Sequence, residues 1–486
     1  MVAPQVDGRR ALCALAALLL AGVALRALVM ASWWPVTLET VDSWPYAHYA
    51  RGDLLASPQH PPGYSTLLAA VGVLTRSVPV FVLLQFAAGI GSALLLFAAT
   101  RRLAGSAAVA LAPAAVVLLG PDQVYLEHSI MSEAVFLLVV ALALYSAARA
   151  LADGSSMWWA AATGLLCGVA TVIRTAGVLM IVPVAAAILL SGVAGRGRRA
   201  LAATGATLAA LGALATVQAV EKGRPQLAPS PGWHLYSHAA QYADCQRFDP
   251  PAGTEALCED TPRHRRLGSD HYLWDLGSPG HTHFDTGDRP TLTPEETGAR
   301  LHANLQRNDS ELGAFARAAI LAQPLDYVTT VARDLLRYLV PGVRRDVRNV
   351  GADLSPALDF ARVSPPETTT VVHRGLIAFF DPFAVYHRRA GTELLARYQS
   401  VFRFGATALM LCLLLIVVGL AAAPARRSAI VLLGGSGLSM LVPPVVAGTY
   451  SGRYSVPAAG LVAGAAAVAI LGLLERRRGT SGTAPP

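Results

Sequence analysis

The sequence is poor in charge. Aspartate, glutamate, lysine and arginine make up 14% of its 486 residues, against roughly a quarter in soluble globular domains. With 54% hydrophobic residues and a mean hydropathy of +0.46, a soluble enzyme of this length is excluded. Lysine occurs once, at Lys222, while arginine, alanine, glycine and proline abound. That bias points to the codon usage of a high-GC genome, such as an actinobacterium's, and carries no chemical meaning. Cysteine is scarce at five, and Cys13, Cys167 and Cys412 fall in apolar runs, where cysteine packs as a small hydrophobe. No paired-ligand spacing of a zinc site and no internal repeat is visible.

What abounds is uninterrupted apolar sequence. A helix needs roughly 20 such residues to cross a hydrocarbon core about 30 Å thick, and it satisfies its own backbone groups there. Ten spans are expected, at about 11–33, 79–100, 106–120, 133–150, 156–173, 175–192, 199–220, 402–422, 428–447 and 456–474. The first follows Arg9 and Arg10 and lacks a small-residue cleavage site, so it reads as a retained span and not a signal peptide.

The net charge of +8 does not point to nucleic acid, because the arginines alternate between loops. Thirteen lie in or beside the N-terminus, loops 101–105, 151–155, 193–198 and 423–427, and the C-terminal tail. The opposite short loops hold four, Arg51, Arg76, Arg174 and Arg453. The positive-inside rule then puts both termini in the cytoplasm of a multi-pass plasma-membrane protein, with the polar stretch 221–401 outside.

The expected organisation is a membrane module over 1–220 with external loops at 34–78 and 121–132. An extracytoplasmic domain of mixed structure, 221–401, is inserted between the seventh and eighth spans. Closing spans occupy 402–478, and 479–486 is a polar tail expected to be disordered. Within the insert, Thr293-Pro294-Glu295-Glu296 carries helix-start chemistry, two amphipathic helices meet at Pro324, and the segment 376–401 could lie on the membrane surface. Cys245 and Cys258 lie in the insert, where an oxidising compartment favours a disulfide.

Polar residues gather on the expected outer face. "LETVDSWPYAHYARGDLLASPQHPPGYSTLL", 38–68, follows the first span and carries Glu39, Asp42 and His60 among aromatics and prolines. "GPDQVYLEHSIMSEAVF", 120–136, brings Glu127, His128 and Glu133; Arg174 ends the fifth span, and Arg453-Tyr454 lies between the last two. Each has a simpler reading. Asp42 could cap a short helix, and His60 could belong only to a rigid turn. Ser132 could cap the fourth span with Glu133 in its first turn. Arg174 could snorkel, and Arg453-Tyr454 could be an interfacial anchor. Arg26, inside the first span, could snorkel or pair with a carboxylate. A carboxylate with two arginines beside a bilayer suits a lipid phosphate. The acid would take a proton from a hydroxyl, and the arginines would hold the phosphate as it leaves.

In their order, "VDSWPYAHYA", "HPPGYSTLLA", "LEHSIMSEAVFLL", "IRTAG" and "GRYSVP" resemble the GT-C membrane glycosyltransferases that use polyprenyl-phosphate sugars. The nearest group is the protein-mannosyltransferase and aminoarabinose-transferase type. The resemblance implies an α-helical polytopic GT-C-like fold and a catalytic base at Asp42. It implies a donor phosphate facing Arg174, Arg453 and Tyr454, and an acceptor or second acidic site at Glu127, His128 and Glu133. Glu39 and His60 remain further candidates. Many relatives carry an Asp-Glu pair in the first loop, whereas here Ser43 follows Asp42. Some relatives use a divalent metal, which stays possible here, yet no ligand cluster stands out. The expected partners are a polyprenyl-phosphate sugar, an envelope glycan, glycolipid or protein as acceptor, and membrane lipids. The alternatives are a transporter or lipid flippase, and a noncatalytic envelope-assembly protein.

Overall fold

A computed structural model describes residues 3–34, 36, 42–152, 154–284, 300–301, 303–341, 360, 379–380, 387–388 and 391–481. Glu39, the helix start at 293–296, most of 376–390 and residues 482–486 of the tail lie outside them.

The first helix, α1, runs Ala3–Ser32 and is followed by α2 (Ser43–Tyr49) and α3 (Gly63–Gly72). Then come α4 (Val78–Ala104), α5 (Ala107–Leu119), α6 (Pro121–Glu127), α7 (Glu133–Ala150), α8 (Met157–Ile173), α9 (Ile181–Leu190) and α10 (Arg196–Lys222). The insert contributes α11 (Pro231–Ala239), α12 (Ser269–Trp274) and the helices Asp309–Ala322 and Pro324–Arg337. Thr392–Ala422, Pro424–Ala447 and Gly452–Arg478 close the bundle.

All ten expected spans are helical, but they are unequal. Among the described residues, seven helices are long and apolar enough to cross a membrane, or eight if a bent pair counts as one. The chain is thus a multi-pass helical membrane protein. The three short members fall where the sequence punctuates them. α5 stops at Gly120, and Pro121, whose missing N–H costs nothing in a first turn, restarts the chain as α6 at 53° to α5. α8 has 17 residues, and α9 only 10 after a one-turn break at Thr175–Gly177. At the other extreme, the eighth span is joined by a preceding helix into a 31-residue stretch that begins at Thr392, before the expected 402.

The described part of the insert is mostly helical, and its His387–Arg388 makes a two-residue antiparallel pairing with Trp33–Trp34. Its core is aromatic, with Trp233, Tyr236, Tyr272 and Phe315 all but inaccessible to solvent. Helices Asp309–Ala322 and Pro324–Arg337 do meet at Pro324. Cys245 and Cys258 are joined by a disulfide, with Cα atoms 6.0 Å apart.

Two buried polar arrangements lock the module. Arg26 Nε and Nη2 donate to the two Glu127 oxygens at 2.7 and 2.9 Å, Arg26 Nη1 donates to the Gly22 and Leu118 carbonyls, and Gln123 donates to Glu127 at 3.0 Å. The carboxylate sits directly over α4 at Gly89, where any β-carbon would collide with it. Nearby, Gln85 donates to the Glu127 and Ser129 carbonyls and accepts from the Tyr64 hydroxyl at 2.6 Å. These bonds tie the α6–α7 connection to α3 and α4.

Candidate active site

The segment from α2 to α3 places the first candidate. Asp42 stands at the N-cap position of α2, but its side chain makes no capping bond. It is turned instead towards His60, with Asp42 Oδ1 3.3 Å from His60 Nε2, and its other oxygen pairs with Arg453 Nη2. His60 is held by the turn that carries it. Its backbone N–H donates to Ser57 Oγ at 3.1 Å, and its ring lies 4.3 Å from that of Tyr46. Each proline of "HPPGY" fixes its own φ and restricts the residue before it. Gly63 lets this turn rest on α8, since a β-carbon there would lie 2.6 Å from the Val172 carbonyl oxygen.

Arg174, directly after α8, donates to Ser132 Oγ at 3.0 Å and pairs with Glu133 Oε1 at 2.7 Å. Glu133, in the first turn of α7 and fully buried, also forms an ion pair with Arg453 at 3.2 Å. Arg453 therefore bridges Asp42 and Glu133. Tyr454 completes the group, with both guanidiniums over its ring at 5.1 and 5.6 Å. Ser132 does not cap α7 with its side chain; it shares a 2.9 Å hydrogen bond with the Tyr46 hydroxyl.

Asp42, His60, Arg174, Arg453 and Tyr454 line one cavity of about 430 Å³, within the range of small-molecule sites. Burial alone would raise the Asp42 carboxyl, but Arg453 and then His60 outweigh it and hold it well below the usual carboxylate range. Asp42 is ionised at neutral pH and stays paired with the Arg453 guanidinium at the cleft.

The structure thus gathers Asp42, His60, Glu133, Arg174, Arg453 and Tyr454, and it separates two residues the sequence grouped with them. Glu127 is engaged by Arg26, and the fully buried His128 stacks on Phe86 with ring centres 5.8 Å apart. Neither lines the cavity. Sequence reasoning missed Tyr46 and Ser132 as partners, and it missed the insert's contribution of His234, Asp270 and Trp274 to the cavity wall. The "DHYLW" run, an acid and an aromatic four residues apart, was the available signal. Among the described residues no three His, Cys, Asp or Glu side chains converge as a metal site would require.

This multi-pass helical protein thus brings an acid, a paired histidine and two arginines together around one cavity. Residues 59–220, about a third of the chain, match the family described as dolichyl-phosphate-mannose-protein mannosyltransferase. Over that segment the resemblance read from the sequence is borne out. The chain is also similar to a solved structure, the apo form of the Archaeoglobus fulgidus oligosaccharyltransferase, at 14% identity and a TM-score of 0.38. That match covers 98% of this chain and 52% of the other, so the chain spans about half that protein's length. No curated protein matches the chain.

Proposed function

We propose that the protein is an inverting glycosyltransferase that takes a sugar from a polyprenyl phosphate and passes it to an envelope acceptor outside the cell. The observation that carries this reading is the direction of the Asp42 side chain. It forgoes its helix cap and enters a cavity shared with Arg174 and Arg453.

In the reaction, an acceptor hydroxyl gives its proton to Asp42 while its oxygen attacks the anomeric carbon. The bond from that carbon to the phosphate oxygen breaks, and its electron pair leaves with the polyprenyl phosphate. The donor carries one negative charge and the leaving group gains a second. Arg174 and Arg453 therefore interact more strongly with the transition state than with the bound donor, which is the condition for acceleration. Attack opposite the leaving group inverts the anomeric centre.

The resting site also explains when the base becomes active. Paired with Arg453, Asp42 is a weak base. A phosphate that draws Arg453 towards itself removes the largest charge holding the carboxyl down, so donor binding raises the basicity of Asp42 towards the range a general base needs. Glu133 holds both arginines from behind. Asp42 and His60 are too few to fix a divalent metal unaided, and no step runs through one.

Purified protein with radiolabelled polyprenyl-phosphate sugars tests the reading, with transfer to an acceptor and an inverted product expected. Movement of the donor across a vesicle membrane without chemistry would favour the transporter reading. The proposed orientation, with both termini cytoplasmic, is checked by cysteine labelling in intact cells; labelling of loop 193–198 from outside would contradict it.

A further inference from the structure

The cavity has a second wall that the transfer chemistry leaves unused. It comes from the insert, across from the membrane module. Asp270 and Trp274 of α12 and His234 of α11 all line it. Positions 270 and 274 are one helical turn apart, so both side chains lie on one face of α12.

The wall is rigidly built. Ser269, Tyr272 and Leu273 are each about 1% exposed. Tyr272 donates to Glu259 at 2.6 Å, and Arg266 Nη1 donates to the Ala240 and Ala243 carbonyls, which fastens the approach to α12 against the end of α11. α11 is anchored in turn. The Trp233 N–H donates to Asp309 Oδ1 at 2.9 Å, Trp233 Nε1 donates to the Arg307 carbonyl, and Gly232 allows a backbone approach to Asp309 that a β-carbon would block. Burial holds the His234 imidazole down at about 4, so it is neutral at pH 7 and presents a donor and an acceptor. Trp274 is only partly buried, unlike the fully buried Trp233.

An indole face, a carboxylate and a neutral imidazole on one wall form a set that fits a sugar ring. The C–H face of a pyranose or furanose packs on indole, its hydroxyls donate to the carboxylate, and an imidazole answers a hydroxyl of either polarity. We propose that His234, Asp270 and Trp274 form a saccharide-binding wall that holds a sugar ring beside Asp42. The proposal deepens the glycosyltransferase reading and rests on it for the location of the reaction. The ring could belong to the acceptor glycan or to the donor sugar, and the test separates the two.

Detergent-purified full-length protein is applied to a glycan array, beside Asp270→Asn, Trp274→Ala and Trp274→Phe. A charge-assisted hydrogen bond or a stacked ring contributes enough that its loss lowers binding roughly tenfold. Asp270→Asn and Trp274→Ala should each lose about that much, while Trp274→Phe, which keeps an aromatic face, should retain most of it. A wild-type protein that binds no saccharide on the array and holds polyprenyl-phosphate-mannose no more tightly than bare polyprenyl phosphate, or variants that match the wild type in both measurements, would overturn the proposal. Equilibrium binding of polyprenyl-phosphate-mannose and of bare polyprenyl phosphate identifies the ring. Loss on the sugar-bearing lipid alone marks the donor sugar, and unchanged binding of both marks the acceptor. Transfer from polyprenyl-phosphate sugars by the same wild-type preparation reports separately on the enzymatic reading. Array binding without transfer sinks that reading and leaves the wall standing. Transfer with unaffected variants sinks only the wall.

Discussion

Asp42→Asn isolates the proton acceptor. Asparagine keeps the shape of the side chain and can still reach His60, which lies 3.3 Å from Asp42 Oδ1. Helix α2 does not depend on the carboxylate, because Asp42 makes no side-chain capping bond. Two effects follow, with opposite signs. Loss of the general base should slow transfer by roughly 10²–10⁴-fold, equivalent to about 3–5 kcal/mol on the barrier. Loss of a negative charge beside Arg174 and Arg453, with which Glu133 still pairs, makes the cleft less negative, so the donor phosphate binds no more weakly than before. Two unit charges about 8 Å apart interact by roughly 2 kcal/mol at an effective dielectric of about 20, so donor affinity rises by up to about thirtyfold. The assay is single-turnover transfer at saturating acceptor, with donor Kd measured separately. Arg174→Ala supplies the contrast, because it should weaken donor binding and rate together. Wild-type turnover in Asp42→Asn, or a loss of donor affinity equal to that of Arg174→Ala, would refute the assignment of Asp42 as base.

Breaking the Arg26–Glu127 pair should destabilise the protein, because it strands a buried charge; Glu127→Gln should cost about 3–5 kcal/mol, read as a lower melting temperature in detergent. Arg26→Met combined with Glu127→Gln should recover much of that loss, and a double variant no more stable than the single one would contradict the pairing. Cys245→Ser should remove about 3 kcal/mol on the chain-entropy account, since the bridge closes a loop of sequence separation 13; unchanged thermal stability under reducing conditions would argue against it. His234 has a folded-state pKa of about 4, below its ordinary 6.5. The unfolded chain therefore binds the proton first, and this contribution is intact above pH 6.5 and lost progressively as pH falls to about 4. His234→Gln should flatten that part of the stability profile, and an unchanged slope would show that other groups control it.

Much of this protein follows from its sequence through length and local chemistry. Long apolar runs make membrane-crossing helices because a helix satisfies all its backbone groups within one segment in hydrocarbon. Glycine and proline at 120 and 121 place the bend between α5 and α6 where they must. The prominence of Asp42, His60, Arg174 and Arg453 was legible as well, because charged groups at a membrane surface are costly and few.

What the sequence could not specify is which charge answers which. Glu127 and Glu133 stand six residues apart in one polar run and read alike, yet the α6–α7 connection sends one to Arg26 and the other to Arg174 and Arg453. Asp42 could cap or catalyse from the same position, and its cap is left unmade because Arg453, more than 400 residues away in the chain, draws the carboxylate inward. The cavity's second wall was hidden for the same reason. His234, Asp270 and Trp274 acquire a shared address only when the insert folds back over the membrane module. Local propensity decides where helices begin and end. Long-range pairing depends on the packing of the whole chain, and only tertiary structure decides it.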